Sequence, residues 1–278
     1  MKIYDCFTFY NEYDLLEIRL EELWNTVDYF VIGEASTTFR GNPKRFNLED
    51  NWSRFEKYAS KIRYVRITDM PTGDSNWARE FHQRAALGRG LFDMQPDDLI
   101  IVSDCDEIPR ATAVEYVKNG LGDHDRYIMA VPIFYFKLNN IMTHPLSRQI
   151  NIKITRGRAF TDAHRERDSW NYIPGTIEIE HGGWHFCYFG DTEFARTKIQ
   201  SFSHSETDVP WIVDNLDVEG MVAAGKGIGW DKGAERFERV QVDEYFPKSI
   251  TSNINKYKNA IAEGATRTVY DFYPKGSK

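Results

Sequence analysis

Four short apolar runs, Ile3–Phe9, Tyr29–Gly33, Ile62–Ile67 and Leu99–Val102, alternate with amphipathic stretches, and this alternation narrows the fold most. Leu16, Leu20, Leu23 and Val27 share one helical stripe, with Glu17, Arg19, Glu21 and Glu22 largely outside it. Residues 55–61 read as helical, and Trp77, Phe81, Ala85, Gly88 and Phe92 mark a helix ahead of the fourth run. Strands separated by helices predict a mostly parallel sheet covered on both faces. After residue 125 the pattern changes. Tyr127–Phe136, Asn151–Thr155 and Trp184–Phe189 read as strands without long helices between them, which predicts a mixed or antiparallel second half. Helices are expected over 191–204, 210–224 and 252–263, with a glycine-rich mobile lid over 225–233 that carries Trp230. With no repeat or linker, the expectation is one α/β domain over 1–278, made of a nucleotide-binding half (1–125) and an acceptor half (126–278).

The fourth run ends in an acidic corner, Ser103-Asp104-Cys105-Asp106-Glu107-Ile108-Pro109-Arg110. In an extended backbone Asp104 and Asp106 point to one side and Cys105 to the core. Pro109 suits the first turn of a following helix. Two hard oxygen ligands at the carboxyl end of a buried strand fit Mg²⁺ or Mn²⁺ and a diphosphate, at the end of the sheet where such folds place ligands. The same acids also suit a plain helix start.

A net charge of −7 and a pI near 5.6 argue against nucleic acid as the main partner. Cys6, Cys105 and Cys187 are odd in number and widely spaced, which reads as reduced core thiols in a cytoplasmic chain. No stretch approaches the roughly 18 apolar residues of a membrane span, and the sequence opens directly on a strand.

Asn11-Glu12-Tyr13-Asp14-Leu15-Leu16-Glu17-Ile18-Arg19, then Val27-Asp28, Glu34 and Gly41-Asn42-Pro43, resemble the opening of glycosyltransferase family 17. Asp104-Cys105-Asp106-Glu107-Ile108-Pro109 is similar to that family's Asp-x-Asp-Glu-Ile-Pro. Gly183-Trp184-His185 with Glu193, Lys198 and Ser201 is similar to its later motif. The resemblance implies a GT-A (Rossmann-like) fold, a UDP-sugar donor, most simply UDP-N-acetylglucosamine, an oligosaccharide or glycoconjugate acceptor and inverting transfer.

Inverting transfer needs a neutralised leaving diphosphate and a base for the acceptor hydroxyl. Asp106 is the expected direct metal ligand, and Asp104 binds either the metal or the ribose. Glu107 holds the metal's water or the donor sugar, unless it is only a helix-end charge. His185, beside glycines that let a ligand approach closely, is the expected third ligand and favours Mn²⁺ over Mg²⁺; His181 and His204 are weaker rivals. Glu193 is the expected base, with Asp191 as rival, and ordinary helix capping is the alternative for both. Glu12 and Glu34 are placed at the base or ribose, Arg84 and Lys198 at phosphate oxygens, and Trp184 and Trp230 on sugar faces.

Two other readings compete. A haloacid-dehalogenase-type phosphatase would use Asp104 as nucleophile beside Mg²⁺, but the motif lies far from the chain start and Ile108 stands where a small residue is expected. A non-catalytic carbohydrate-binding protein would need no paired acids at a strand end.

Overall fold

The computed structural model describes residues 1–73, 75–120, 124–144, 148–168, 173–204, 208, 210–229 and 235–274. Trp230 and the second half of the glycine-rich stretch lie outside the described residues. In chain order the elements are β1 (Ile3–Thr8), α1 (Tyr13–Leu23), β2 (Tyr29–Ala35), α2 (Asn47–Asp50), α3 (Trp52–Phe55), β3 (Ile62–Ile67), α4 (Asn76–Ala85), β4 (Leu99–Asp104), β5 (Glu107–Pro109) and α5 (Ala111–Gly120). There follow β6 (Arg126–Tyr135), β7 (Asn140–His144), β8 (Arg148–Arg156), α6 (Ala163–Asp168), β9 (Ile177–Ile179), β10 (Gly183–Cys187), α7 (Thr192–Ser201), α8 (Pro210–Val213), α9 (Val218–Ala224), β11 (Arg236–Arg239), α10 (Lys248–Thr251) and α11 (Ile254–Tyr257).

The chain forms two compact units, 1–130 with 150–183, and 131–149 with 184–278. The boundaries of these units differ from those of the halves 1–125 and 126–278. Residues 150–183 return to the first unit because β8 pairs antiparallel with β4, Ile154 opposite Ile101.

In the first unit β3, β2, β1 and β4 lie side by side and parallel. Thr8 is in register with both Gly33 and Asp104, so three strands end level with the acidic corner. Alternate residues of these strands, Tyr4 and Cys6, Ile100 and Val102, Val65 and Ile67, close one core with Ala86, Leu87, Leu91 and Ala163. Each large aliphatic side chain buried in this way stabilises the fold by about 1.5–3 kcal/mol. The result is an α/β fold whose parallel half carries the acids at a carboxyl edge.

The second unit is mixed, as the sequence predicts. The end of β6 runs parallel to β10, β7 is antiparallel to β6, and β11 is antiparallel to β7. Helix α9 ends at Gly225, whose φ of +63° gives the left-handed cap that glycine accommodates readily. The expected long helix over 210–224 is two short ones, and the helix expected over 252–263 is shorter and followed by a 3₁₀ turn.

Two local expectations are corrected. Pro109 ends the short strand β5, and the next helix starts at Ala111. Cys105 and Asp106 form a turn between β4 and β5, so strand alternation does not place Asp106 beside Asp104. The helix marked by Trp77, Phe81 and Ala85 is α4, whose buried residues are Arg79, Glu80, Gln83 and Arg84, so the apolar stripe lies on its exposed face.

Candidate active site

The acidic corner is held from within by Arg19 of α1, which is 0% exposed although its position in the helix pattern predicts a solvent face. Its guanidinium forms a two-pronged pair with Asp5, Nε donating to Oδ2 at 2.8 Å and Nη2 to Oδ1 at 2.6 Å. Nη1 donates to the carbonyls of Asp104 (2.7 Å) and Glu107 (3.0 Å), and Nη2 to the Ser103 hydroxyl (2.7 Å). Burial opposes the Arg19 charge, but Asp5 outweighs it and raises the pKa. Sequence and fold thus fix the backbone of the corner before its side chains act.

The side chains meet a second set of arginines. Arg84 of α4 donates through Nη2 to Asp104 Oδ1 (3.0 Å) and pairs with Glu80 at 2.7 Å. Arg167 of α6 donates to Asp104 Oδ2 (3.1 Å) and to Glu107 Oε1 (2.6 Å). Glu107 is 1% exposed, and it also accepts from the Asp104 backbone N–H and from Asn151. This explains the inward polar face of α4: Arg84 turns toward Asp104 of β4, and Glu80, one turn earlier in the helix, pairs with Arg84. Both arginines keep a buried Nε with no acceptor among the described residues, and so does Glu80 Oε2 as an acceptor. Burial works against the Arg84 charge, but Asp104 and Glu80 prevail and raise its pKa.

Lys153 of β8 is buried nearby in the same unit, and its pKa falls to about 8, first through burial and then through the positive charge of Arg167. The sequence reading missed Arg167, Lys153 and Glu80. The only signal for Arg167 was the charged run Arg165-Glu166-Arg167-Asp168, which reads equally well as a solvated helix end.

The other expected residues have partners of their own. Glu12 folds back on the backbone N–H groups of Tyr10 and Asn11. Glu34 is buried and accepts from Lys44, from the N–H groups of Asn47 and Leu48, and from the Tyr64 hydroxyl, so both oxygens serve the fold. Trp184 is 1% exposed and packs edge-on against Tyr245, which leaves no ring face for a sugar and corrects that expectation. Gly183 gives closeness to the chain itself, because a Cβ there would lie 2.1 Å from the Ile108 carbonyl oxygen. In the second unit His185 bonds Gln149 through Nδ1 and faces Cys187 Sγ at 3.0 Å through Nε2. Asp191 caps α7 by accepting from Phe194 N–H, Glu193 is 75% exposed and paired with Arg196, and Lys198 lies 5.3 Å over the Tyr188 ring. His181 adopts a left-handed backbone and accepts from Arg110, and His204 packs on Phe202.

A divalent ion was expected on Asp104, Asp106 and His185. Among the described residues no three His, Cys, Asp or Glu side chains are grouped to hold a metal. The Asp104 oxygens meet guanidinium groups on both sides. As arranged, these donors do not fit the ion.

The model of glycosyltransferase family 17 matches residues 1–228. The chain belongs to glycosyltransferase family 17. This family 17 chain is similar to the β-1,4-mannosyl-glycoprotein 4-β-N-acetylglucosaminyltransferase of Homo sapiens, with 32% identity over 116 residues. The match covers 39% of this chain and 22% of the human protein, and the Rattus norvegicus protein of the same name gives the same figures. The matched segment thus spans about a fifth of the length of these relatives. The inositol-1-phosphate CTP transferase of T. maritima aligns over 94% of this chain and 96% of its own, at 9% identity and a TM-score of 0.35, a likeness too slight to bear on function. Among the described residues of this family 17 chain, no helix is long and apolar enough to cross a membrane.

Proposed function

We propose that the chain transfers a sugar from a nucleoside-diphosphate donor, UDP-N-acetylglucosamine in its simplest form, to a hydroxyl of an oligosaccharide or glycoconjugate. One observation carries the reading. Two buried guanidiniums with spare N–H donors stand on a carboxylate pair at the carboxyl edge of a parallel sheet. Such a set suits a ligand that brings both phosphate oxygens and hydroxyls. The oxygens accept from Arg84 and Arg167, and ribose or sugar hydroxyls donate to Asp104.

In the reaction the acceptor oxygen bonds to the anomeric carbon from the face opposite the diphosphate. The carbon–phosphate-oxygen bond breaks, the nucleoside diphosphate leaves with the electron pair, and a carboxylate takes the hydroxyl proton. Attack from the opposite face inverts the anomeric configuration and gives a β linkage from an α donor. Guanidinium donors that strengthen as charge develops on the leaving group favour the transition state over the ground state. Glu193, matched to the family motif, is the proposed base.

The test is calorimetric titration with UDP and then GDP, followed by turnover of UDP-N-acetylglucosamine with an oligosaccharide acceptor. UDP binding that is lost in Asp104→Asn, together with release of UDP during turnover, supports the transferase. Hydrolysis of a simple phosphomonoester with Mg²⁺, in a chain that binds neither nucleotide, overturns it in favour of the phosphatase. Glu193→Gln is expected to keep UDP binding and to lose at least a hundredfold in turnover; near-normal turnover removes Glu193 from the base role.

A further inference from the structure

We propose that the cavity beneath α6, where Lys153 of β8, Arg126 of β6 and Thr176 just ahead of β9 meet, is a binding site for one monatomic anion, chloride or a like halide. The proposal goes beyond the transferase reading and does not depend on it.

The topology brings the three residues to one place. Lys153 stands opposite Val102, and Thr155 opposite Ile100. Ile100 and Val102 share a core with Ala163 of α6, so this face of β8 looks at that helix. Thr155 follows the same direction and donates to Glu166 Oε2 at 2.8 Å. Ile177 pairs with Tyr127 along the parallel β6–β9 contact, which sets Thr176 level with Arg126. The cavity among them measures about 10 Å³, and Ile128 and Ile173 close its apolar side. That is room for about one water-sized occupant. A phosphate, a sulfate or a carboxylic acid is too large.

What the cavity offers is donors. Thr176 is 6% exposed, and neither its hydroxyl nor the buried Nε of Arg126 has a partner among the described residues. Lys153 is also 6% exposed, and among the described residues its ammonium has neither a hydrogen bond nor an ion pair. Arg126 donates through Nη2 to the Ala159 carbonyl at 2.6 Å and to Glu166 Oε1 at 3.4 Å. Glu166 also lines the cavity, but Oε1 accepts from Arg126 and Thr161, and Oε2 from Thr155.

Water suits such a set poorly, because its own two hydrogens need acceptors and the Glu166 oxygens are taken. A halide accepts from every side and brings a counter-charge. Burial, and then the charge of Arg167, lowers the Lys153 pKa to about 8, so near neutral pH the group still holds its proton. Glu107, Glu166 and Glu178 attract it without pairing with it. A buried cation that lacks a hydrogen-bonded counter-charge is costly, and an anion held by Lys153, Arg126 and Thr176 relieves that cost through charge-assisted bonds.

The test compares sodium chloride and sodium bromide with sodium gluconate at one ionic strength and neutral pH. Gluconate is too large to enter, so general screening is common to all three salts. Melting temperatures are read for the wild type, Lys153→Met and Thr176→Val, as wild type against variant within each salt. The expected result is a saturable rise of about 2 °C or more in chloride over gluconate for the wild type, absent from both variants. Crystals grown in bromide are expected to show a bromine anomalous peak beside Lys153 Nζ and Thr176 Oγ1. Equal melting temperatures in chloride and gluconate overturn the site and leave water as the occupant. A halide effect that survives in both variants places the ion elsewhere and overturns it as well, and so does a bromide crystal without the peak. If Thr176→Val does not fold, Lys153→Met and the bromine peak decide. None of these outcomes involves a nucleotide, so failure here is distinct from failure of the transferase reading.

Discussion

Arg19 and the pair Arg84–Arg167 serve the same acidic corner in different ways. Arg19 grips its backbone, with each of its three guanidinium nitrogens satisfied by Asp5, Ser103 or a carbonyl, at zero exposure. Arg84 and Arg167 grip its side chains, and each retains a buried Nε without an acceptor among the described residues. A saturated guanidinium has nothing left to offer a ligand. An unsaturated one beside carboxylates carries a standing cost, because a buried donor without a partner loses about 1–3 kcal/mol of solvation, and a ligand oxygen relieves it. The difference separates scaffold from site more sharply than residue type or burial does.

The largest effect expected from breaking this contrast is on Arg19. Arg19→Met leaves Asp5 buried and unpaired and is expected to cost about 3–5 kcal/mol, read as a drop in the urea midpoint. Adding Asp5→Leu is expected to recover the part of that loss due to the uncompensated charge, while the Asp104 and Glu107 carbonyls stay without their donor.

A different signature is expected from Arg167→Gln and Arg84→Gln. Each weakens UDP binding at least tenfold, and each also leaves a buried carboxylate, Glu107 or Glu80, short of its partner at a cost of up to about 3–5 kcal/mol. If both variants lost stability but kept wild-type UDP affinity in the folded protein, the division into scaffold and site would fail.

Lys153 gives the smallest effect and sharpens the comparison by pH. Its pKa of about 8 lies below the ordinary lysine value, chiefly through burial. Below about pH 8 both folded and unfolded chains hold the proton, and the folded chain bears the full cost of burying that charge. Between about pH 8 and 10.5 only the unfolded chain keeps the proton, so the cost shrinks as pH rises, and above that range it is gone. Lys153→Met is therefore expected to raise the unfolding free energy at pH 7, by an amount on the order of 1–3 kcal/mol, and to have little effect at pH 10. An equal gain at both values would mean that packing, and not charge, is responsible.

The contrast also shows how far the sequence could be read. The strands ending at Thr8, Ala35, Ile67 and Asp104 were visible because apolar runs and their spacing are local. The side on which α4 turns was not. Trp77 and Phe81 carry an apolar period, and only Asp104, some twenty residues on, explains why Glu80 and Arg84 take the inner face. Arg19 was hidden for the same reason, since its partners Asp104 and Glu107 are more than eighty residues away. Pro109 misled by a preference that β5 does not follow. The glycines before Trp184 were read as room for a ligand, yet at Gly183 the space is filled by the backbone of Ile108.

Arg19's hold on the carbonyls of Asp104 and Glu107 has a consequence for motion. With these anchored in the core beneath them, the turn between β4 and β5 cannot shift without breaking buried hydrogen bonds to a guanidinium that Asp5 holds in place, which places it among the last parts of the fold to open. Adjustment on the arrival of a ligand then falls to the long side chains of α4 and α6, by rotamer changes on the nanosecond scale. The corner keeps time like an anvil, and the guanidiniums are the moving parts.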